Sequence, residues 1–230
     1  MCILIDNAVA RPKVRSCWGL SIVGVHAGRQ FIFDVGPSIS ILRHNASVMG
    51  IDLRKMSFVV ISHWHADHSG ALSEFVKEFC PGCPVYVPRL TWGSVVPEDY
   101  IEVREGRKIA PGVYTTGCVP PLEFCEQALV IMTEVGACVL TGCSHPGLLR
   151  ILEAAREVCG ENVYAIIGGF HGFGSSEAER EAFMRFIREN GTELVCPCHC
   201  SGGAIIRFLE RRMPEVLVEG GVGRVIRIPR

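Results

Sequence analysis

The sequence predicts an α+β fold: a four-layer αβ/βα sandwich of two mixed β-sheets packed face to face, with helices outside. Three observations lead there. The N-terminal part alternates short β-rich runs with turns. The run Phe58–Ser62 is β-branched and apolar without alternation, as expected of a strand buried on both faces. After His145 the chain alternates helix and strand.

In chain order, Cys2–Asp6, Gly19–His26 and Gln30–Asp34 read as strands, the last two joined at Ala27-Gly28-Arg29. A helix is expected from about Ser38 to Met49, with Gly50 ending it in a left-handed conformation. Gly70–Phe79 carries helical apolar spacing at Ala71, Leu72, Phe75, Val76 and Phe79. From Cys83 to Gly117, proline and glycine punctuate the chain, leaving room for short strands but for no helix of useful length. Ala128–Met132 and Ala137–Leu140 form another hairpin, turning at Glu134-Val135-Gly136. There follow a helix over Pro146–Val158, a strand over Val163–Ile167 and a helix over Ser176–Asn190. A strand over Glu193–Cys196, a helix over Gly202–Arg212 and strands near Val216 and Val225 complete the series. With no repeat, linker or low-complexity tract, residues 1–230 read as a single domain.

Composition narrows the function classes. The 230 residues are 48% hydrophobic and 20% charged, with a net charge of −1 and no basic block. Neither a nucleic acid nor an anionic membrane surface is an expected partner. No apolar run reaches the roughly 18 residues that a membrane span needs. Met-Cys-Ile-Leu-Ile-Asp-Asn reads as a strand rather than a signal peptide, so the cytoplasm is the expected location. Twelve cysteines are many for this length. In a reducing compartment most should be small buried hydrophobes or neighbours of a metal site. Cys80-Pro-Gly-Cys83 could close a local disulfide or form half of a zinc ribbon, but no second Cys-x-x-Cys lies nearby, and two thiols in a turn is the leading reading.

The chemistry concentrates in His63-Trp64-His65-Ala66-Asp67-His68, read as an irregular loop directly after the apolar strand. Three imidazoles and a carboxylate at this spacing are too dense for a core, and together they suit zinc, iron or manganese. The alternative is a polar loop with incidental histidines. Two metals need further donors. His145 and His199 sit at strand ends, and His171 follows Gly168-Gly169-Phe170 in a third such place. Ser201 is an expected N-cap, where the helix terminus favours an anion. His26 and His44 lack such context.

Here the sequence resembles the metallo-β-lactamase superfamily, whose His-x-His-x-Asp-His loop matches residues 63 to 68 at every ligand position. Asp6-Asn7, Gly19-Leu20-Ser21, Phe33-Asp34-x-Gly36, Asn45-Ala46 and Gly50-Ile51-Asp52 point to one branch. Gly142-Cys143-Ser144-His145, Gly168-Gly169-Phe170-His171 and Cys198-His199-Cys200-Ser201-Gly202 follow in the order seen there. That branch is the 7,8-dihydropterin-6-methyl-4-(β-D-ribofuranosyl)aminobenzene-5′-phosphate synthase-like one, and the match covers nearly the whole chain.

The resemblance implies two divalent ions, zinc first and iron or manganese as alternatives. His63, His65 and His145 would hold one ion, and Asp67, His68 and His199 the other. Where many members have a bridging Asp, Cys143 stands: either its thiolate bridges or only water or hydroxide does. His171 would lie at the pocket rim as a phosphate contact or proton donor, with a ligand role open. Asp34 and Ser62 suit the orienting of ligand imidazoles. Two departures fall where substrate-covering loops would lie. Thr116-Gly117-Cys118-Val119-Pro120-Pro121 replaces a segment with an acid and a base, and the stretch from Cys83 to Gly112 is short for the branch.

The implied activity is hydrolysis by a dinuclear metal-bound hydroxide, on a phosphodiester or a phosphorylated small molecule, with Asp67 orienting the nucleophile. No Gly-x-Ser-x-Gly elbow offers a serine nucleophile instead. The alternatives are the synthase activity of the branch, iron redox chemistry, and metal sensing without turnover. Diiron relatives carry Glu where His65 stands, and intact ligands argue against lost catalysis.

Overall fold

A computed structural model describes residues 1–89, 98–120 and 125–229. They divide into two units, Met1–Arg104 with Gly220–Arg227, and Glu105–Glu219 with the residues after Arg227.

In the first unit, hairpins come first and crossovers later. β1 (Cys2–Ile5), β2 (Ser21–His26), β3 (Arg29–Phe33), β4 (Met56–Val60), β5 (Val85–Pro88) and β6 (Ile101–Val103) lie in sequence order across one sheet. β1–β2–β3 pair antiparallel, and β3–β4–β5–β6 pair parallel. Parallel neighbours need a crossover. Helix α1 (Ile39–Met49) joins β3 to β4, while α2 (Ala66–Ser69) and α3 (Leu72–Phe79) join β4 to β5. α1 ends as expected at Gly50, whose φ of 68° suits a residue without Cβ. Leu4, Ile5, Ile32, Leu42, Val59, Ile61 and Phe75 form the core of this unit.

The second unit repeats the plan. β7 (Glu105–Ala110), β8 (Val113–Gly117), β9 (Leu129–Thr133) and β10 (Gly136–Thr141) pair antiparallel, then β11 (Val163–Gly169) and β12 (Leu194–Cys198) add in parallel. α4 (Leu148–Cys159) and α5 (Glu177–Asn190) are the crossovers, and α6 (Gly203–Arg212) follows β12. α5 starts at a capping box: the Ser176 side chain accepts from the Glu179 N–H, and the Glu179 carboxylate accepts from the Ser176 N–H. Val139, Ile151, Ile166, Phe170, Phe183 and Val195 fill the core. Two mixed sheets, each with its own helices, are the fold class that the sequence predicts.

Three expectations change. The strands near Val216 and Val225 reduce to single bridges, Leu217 to Val195 and Val225 to Cys2, because Pro214 and the glycines at 220, 221 and 223 interrupt any longer ladder. The stretch after Cys83 holds the short strands expected there, β5 to β8, while residues 90–97 and Pro121 lie outside the described residues. Residues 66–69 form a helical turn rather than an irregular loop. The third concerns cysteine pairing: Cys118 and Cys125 form a disulfide, which the sequence reading missed, while Cys80 and Cys83 are the two thiols expected.

Asn45, fully buried on α1, holds this unit's N-terminal segment. Its amide donates to the Leu4 and Arg15 carbonyls, both at 2.8 Å, and its oxygen accepts from the Arg15 N–H at 2.8 Å. Asn45→Ala removes three hydrogen bonds, the one to the Leu4 carbonyl fully buried, and is expected to destabilise by about 2 kcal/mol, measured by chemical denaturation.

The Cys80-Pro-Gly-Cys83 turn is chemically asymmetric. A side-chain hydrogen bond between the thiols pushes Cys80 up and holds Cys83 below the ordinary 9.0. Burial pushes Cys138 up to about 12. Because the thiolate is the reactive form, Cys83 alkylation should rise with pH with its midpoint below pH 9, while Cys138 stays unmodified. Peptide mass mapping reads both.

Candidate metal centre

The donor residues follow the C-terminal ends of parallel strands, where α/β sheets place functional groups. In the first unit, Phe33 of β3 stands beside Val60 of β4. Each strand therefore delivers its next residues side by side: Asp34 from one, Ser62 and His63 from the other. Asp34 is fully buried and sits at a φ of 57°. A buried carboxylate must be hydrogen-bonded. Its Oδ1 accepts from the Ser62 N–H at 2.7 Å, and its Oδ2 accepts from the Ser62 hydroxyl at 2.7 Å and faces His68 Nδ1 at 2.6 Å.

These contacts fix tautomers by elimination. A carboxylate only accepts, so His68 Nδ1 is the donor, and in the neutral imidazole Nε2 then carries the lone pair. The one proton of Ser62 goes to Asp34, so Ser62 Oγ accepts from His63 Nδ1, 2.9 Å away. His63 Nε2 thus carries its lone pair as well. That is the state in which imidazole binds a metal. His63 Nε2 lies 3.1 Å from His65 Nδ1, the His63 and His68 ring centroids are 4.2 Å apart, and His68 Nε2 lies 3.8 Å from Asp67 Oδ2.

The rest of the segment is pinned from both sides. The Trp64 indole donates to the Pro88 carbonyl at 2.9 Å, and the His68 N–H donates to the His65 carbonyl at 3.0 Å. The His68 carbonyl accepts from the Val35 and Gly36 N–H groups. His63 and His68 are buried, Asp67 is half-buried and His65 is exposed.

In the second unit, β10, β11 and β12 end beside one another and deliver Cys143 with His145, His171, and His199. His145 and His171 stack with ring centroids 4.4 Å apart. Cys143, His171 and Cys200 each offer a donor atom within 4.8 Å of the other two. His199 is buried and occupies a 3-10 turn. Ser201 is not an N-cap: α6 starts after Gly202, and the Ser201 hydroxyl donates toward the Cys198 carbonyl at 2.6 Å and accepts from the Phe170 N–H at 3.1 Å. It ties the β11 and β12 exits together. His44 contacts the Lys13 carbonyl at 2.8 Å, an ordinary surface bond.

Sequence reasoning missed Glu126. Fully buried, it accepts from the Cys143 and Ser144 N–H groups through Oε1 and from the His145 N–H through Oε2, all at 2.8 Å. It directly follows Cys125 of the disulfide. Its one sequence signal is an acid at the mouth of an apolar strand, with no base nearby.

Three comparisons bear on this arrangement. The sequence profile of the metallo-beta-lactamase superfamily matches residues 19–148. The chain is 23% identical to the 7,8-dihydropterin-6-methyl-4-(beta-D-ribofuranosyl)-aminobenzene-5'-phosphate synthase of Methanocaldococcus jannaschii, over 86% of this chain and 84% of that one. Its fold is like that of Tm1679, a metal-dependent hydrolase of the beta-lactamase superfamily, with a TM-score of 0.78, 24% identity and coverage of 100% and 98%. The metallo-beta-lactamase fold protein YhfI from Bacillus subtilis follows at 0.65 and 13%, covering 96% and 97%.

The Asp34 contacts generate a prediction. Asp34→Asn disturbs the acceptor that sets both tautomers, so metal affinity should fall by roughly 10- to 100-fold, with the far-ultraviolet circular dichroism retained. Equilibrium dialysis against zinc measures it, and unchanged affinity would remove Asp34 from this role.

Proposed function

Because the chain belongs to the metallo-beta-lactamase superfamily, we propose that it is a dinuclear metal-dependent hydrolase acting on a phosphodiester or another phosphorylated small molecule. One observation carries the metal reading: Asp34 and Ser62 leave Nε2 of His63 and of His68 as lone-pair nitrogens. The ligand assignment is the one implied by the resemblance. His63, His65 and His145 take one divalent ion, zinc in the first instance, and Asp67, His68 and His199 take the second. When bound, such ions supply Lewis acidity and lower the pKa of water.

The protein's own residues do the rest. Asp67, with its side chain 21% exposed, can accept a proton from the attacking water and hold it in orientation. His171 is exposed beside His145, and its imidazole is placed to bind phosphate or give a proton to the leaving group. Glu126 holds the backbone of residues 143–145 and so fixes the direction from which His145 enters.

A second reading is synthesis of a pterin–ribofuranosylaminobenzene phosphate conjugate by C–N bond formation. The likeness to the M. jannaschii synthase favours it. The Cys118–Cys125 disulfide starts in the segment that departs from that branch, which favours a different substrate.

Metal analysis of the purified protein, with assays on phosphodiester, thioester and lactone panels, separates the readings. The expected result is about two ions per chain and turnover of a phosphodiester. His199→Ala should lower the metal content and abolish hydrolysis while the fold persists. Normal turnover by that variant removes His199 from the site. Product from pterin and arylamine partners, without hydrolysis of any panel member, would establish the synthase reading instead.

A further inference from the structure

Three parallel strands of the second unit hand the chain to residues in the left-handed backbone region. Ser144 has a φ of 64°, His171 of 46° and His199 of 47°. Such conformations at non-glycine residues cost about 1–3 kcal/mol each and persist where the surroundings impose them. Between them lies a donor set that the hydrolase reading does not use as a unit. The sulfurs of Cys143 and Cys200 and a ring nitrogen of His171 lie within 4.8 Å of one another. We propose that Cys143, Cys200 and His171 form a thiolate-rich metal site of their own, taking a thiophilic ion of the zinc class.

The surroundings are built around these sulfurs. Cys143 is buried at 4% exposure, and Glu126 grips its N–H at 2.8 Å. Cys200 is half-buried, so the set is reachable from solvent. Its sulfur accepts from the His171 N–H at 3.3 Å, and its carbonyl accepts from the Gly172 N–H at 2.9 Å. Hydrogen bonds to sulfur stabilise a metal-bound thiolate. Gly169 makes the approach sterically possible: a Cβ there would stand 2.7 Å from the Cys200 sulfur and 2.2 Å from the Gly142 carbonyl oxygen. Two thiolates and one imidazole match the soft donor sets that select zinc or copper(I), and three protein ligands leave a fourth position open.

The site lies wholly within one unit and does not depend on the hydrolase reading. Cobalt(II) is the probe, because its thiolate complexes show a sulfur-to-metal charge-transfer band in the near ultraviolet. Full-length protein carrying Cys80→Ser and Cys83→Ser, with its thiols kept reduced and metals removed, should develop this band on titration. Cys200→Ser should remove about half of it, one of two thiolates. Adding Cys143→Ser should abolish it. His171→Ala should weaken binding by at least the roughly tenfold that loss of a supporting partner costs.

The band should survive His63→Ala with His65→Ala, which separates this site from the imidazole ligands. In case the serine variants misfold, zinc should also protect Cys143 and Cys200 of the unaltered protein from alkylation. Any of five results overturns the proposal: no band with reduced thiols, a band unchanged in the double serine variant, loss of the band with the imidazole ligands, a Cys143–Cys200 disulfide in the native protein, or a band left intact in Cys200→Ser. A thiolate that only bridges the other two ions would leave the band intact in Cys200→Ser, which counts equally against it.

Discussion

The first unit's chemistry hangs on one buried carboxylate. The parallel register of β3 and β4 puts Asp34 where water cannot reach it, and an unpaired charge there would be untenable. The fold answers with a backbone N–H, a hydroxyl and an imidazole. Because Asp34 only accepts, each of these groups is forced to donate. Proton positions on His63 and His68 follow from burial rather than from pH alone. Sheet register, through one desolvated charge, decides which nitrogen of each imidazole can take a ligand.

The second unit uses its buried carboxylate differently. Glu126 accepts from the backbone N–H groups of residues 143 to 145. It acts on the shape of a turn rather than on the protonation of a side chain. The energy is still substantial, since hydrogen bonds to a charged acceptor contribute about 1.5–3 kcal/mol each. Such a grip is what allows Ser144 to remain left-handed beside Cys143. Asp34 sets which atom donates, and Glu126 sets where a donor stands.

Much of this was legible in the sequence because local rules reach it. The His63–His68 segment announces itself by density, β4 by its unbroken apolar run, and α1 by Gly50. The double β-to-β-α plan follows from where hairpin turns give way to helical spacing. What stayed hidden depends on residues far apart in the chain. Glu126 earns its place only when β9 and β10 pair and carry it to the Cys143 turn, 17 residues away. The Cys118–Cys125 bridge could not be chosen from twelve cysteines by spacing, since pairing follows Cα separation, here 4.9 Å. Ser201 looked like a cap because it precedes a helix. A local rule cannot see that the Phe170 amide of a neighbouring strand exit competes for its oxygen.

The left-handed backbone at His171 and His199 also bears on how such a donor set can change over generations. Few side chains tolerate that conformation, chiefly Gly, Asn, Asp and His. Of these, only His and Asp are strong ligands for a divalent ion. Drift at these two positions is therefore channelled: a carboxylate can replace an imidazole in one step without rebuilding the turn, whereas cysteine or glutamate meets a backbone penalty first. Thiolates should instead be gained or lost at neighbours such as positions 143 and 200, whose φ is not left-handed. Backbone geometry, more than metal preference, then sets which ligand exchanges lineages of this chain can sample.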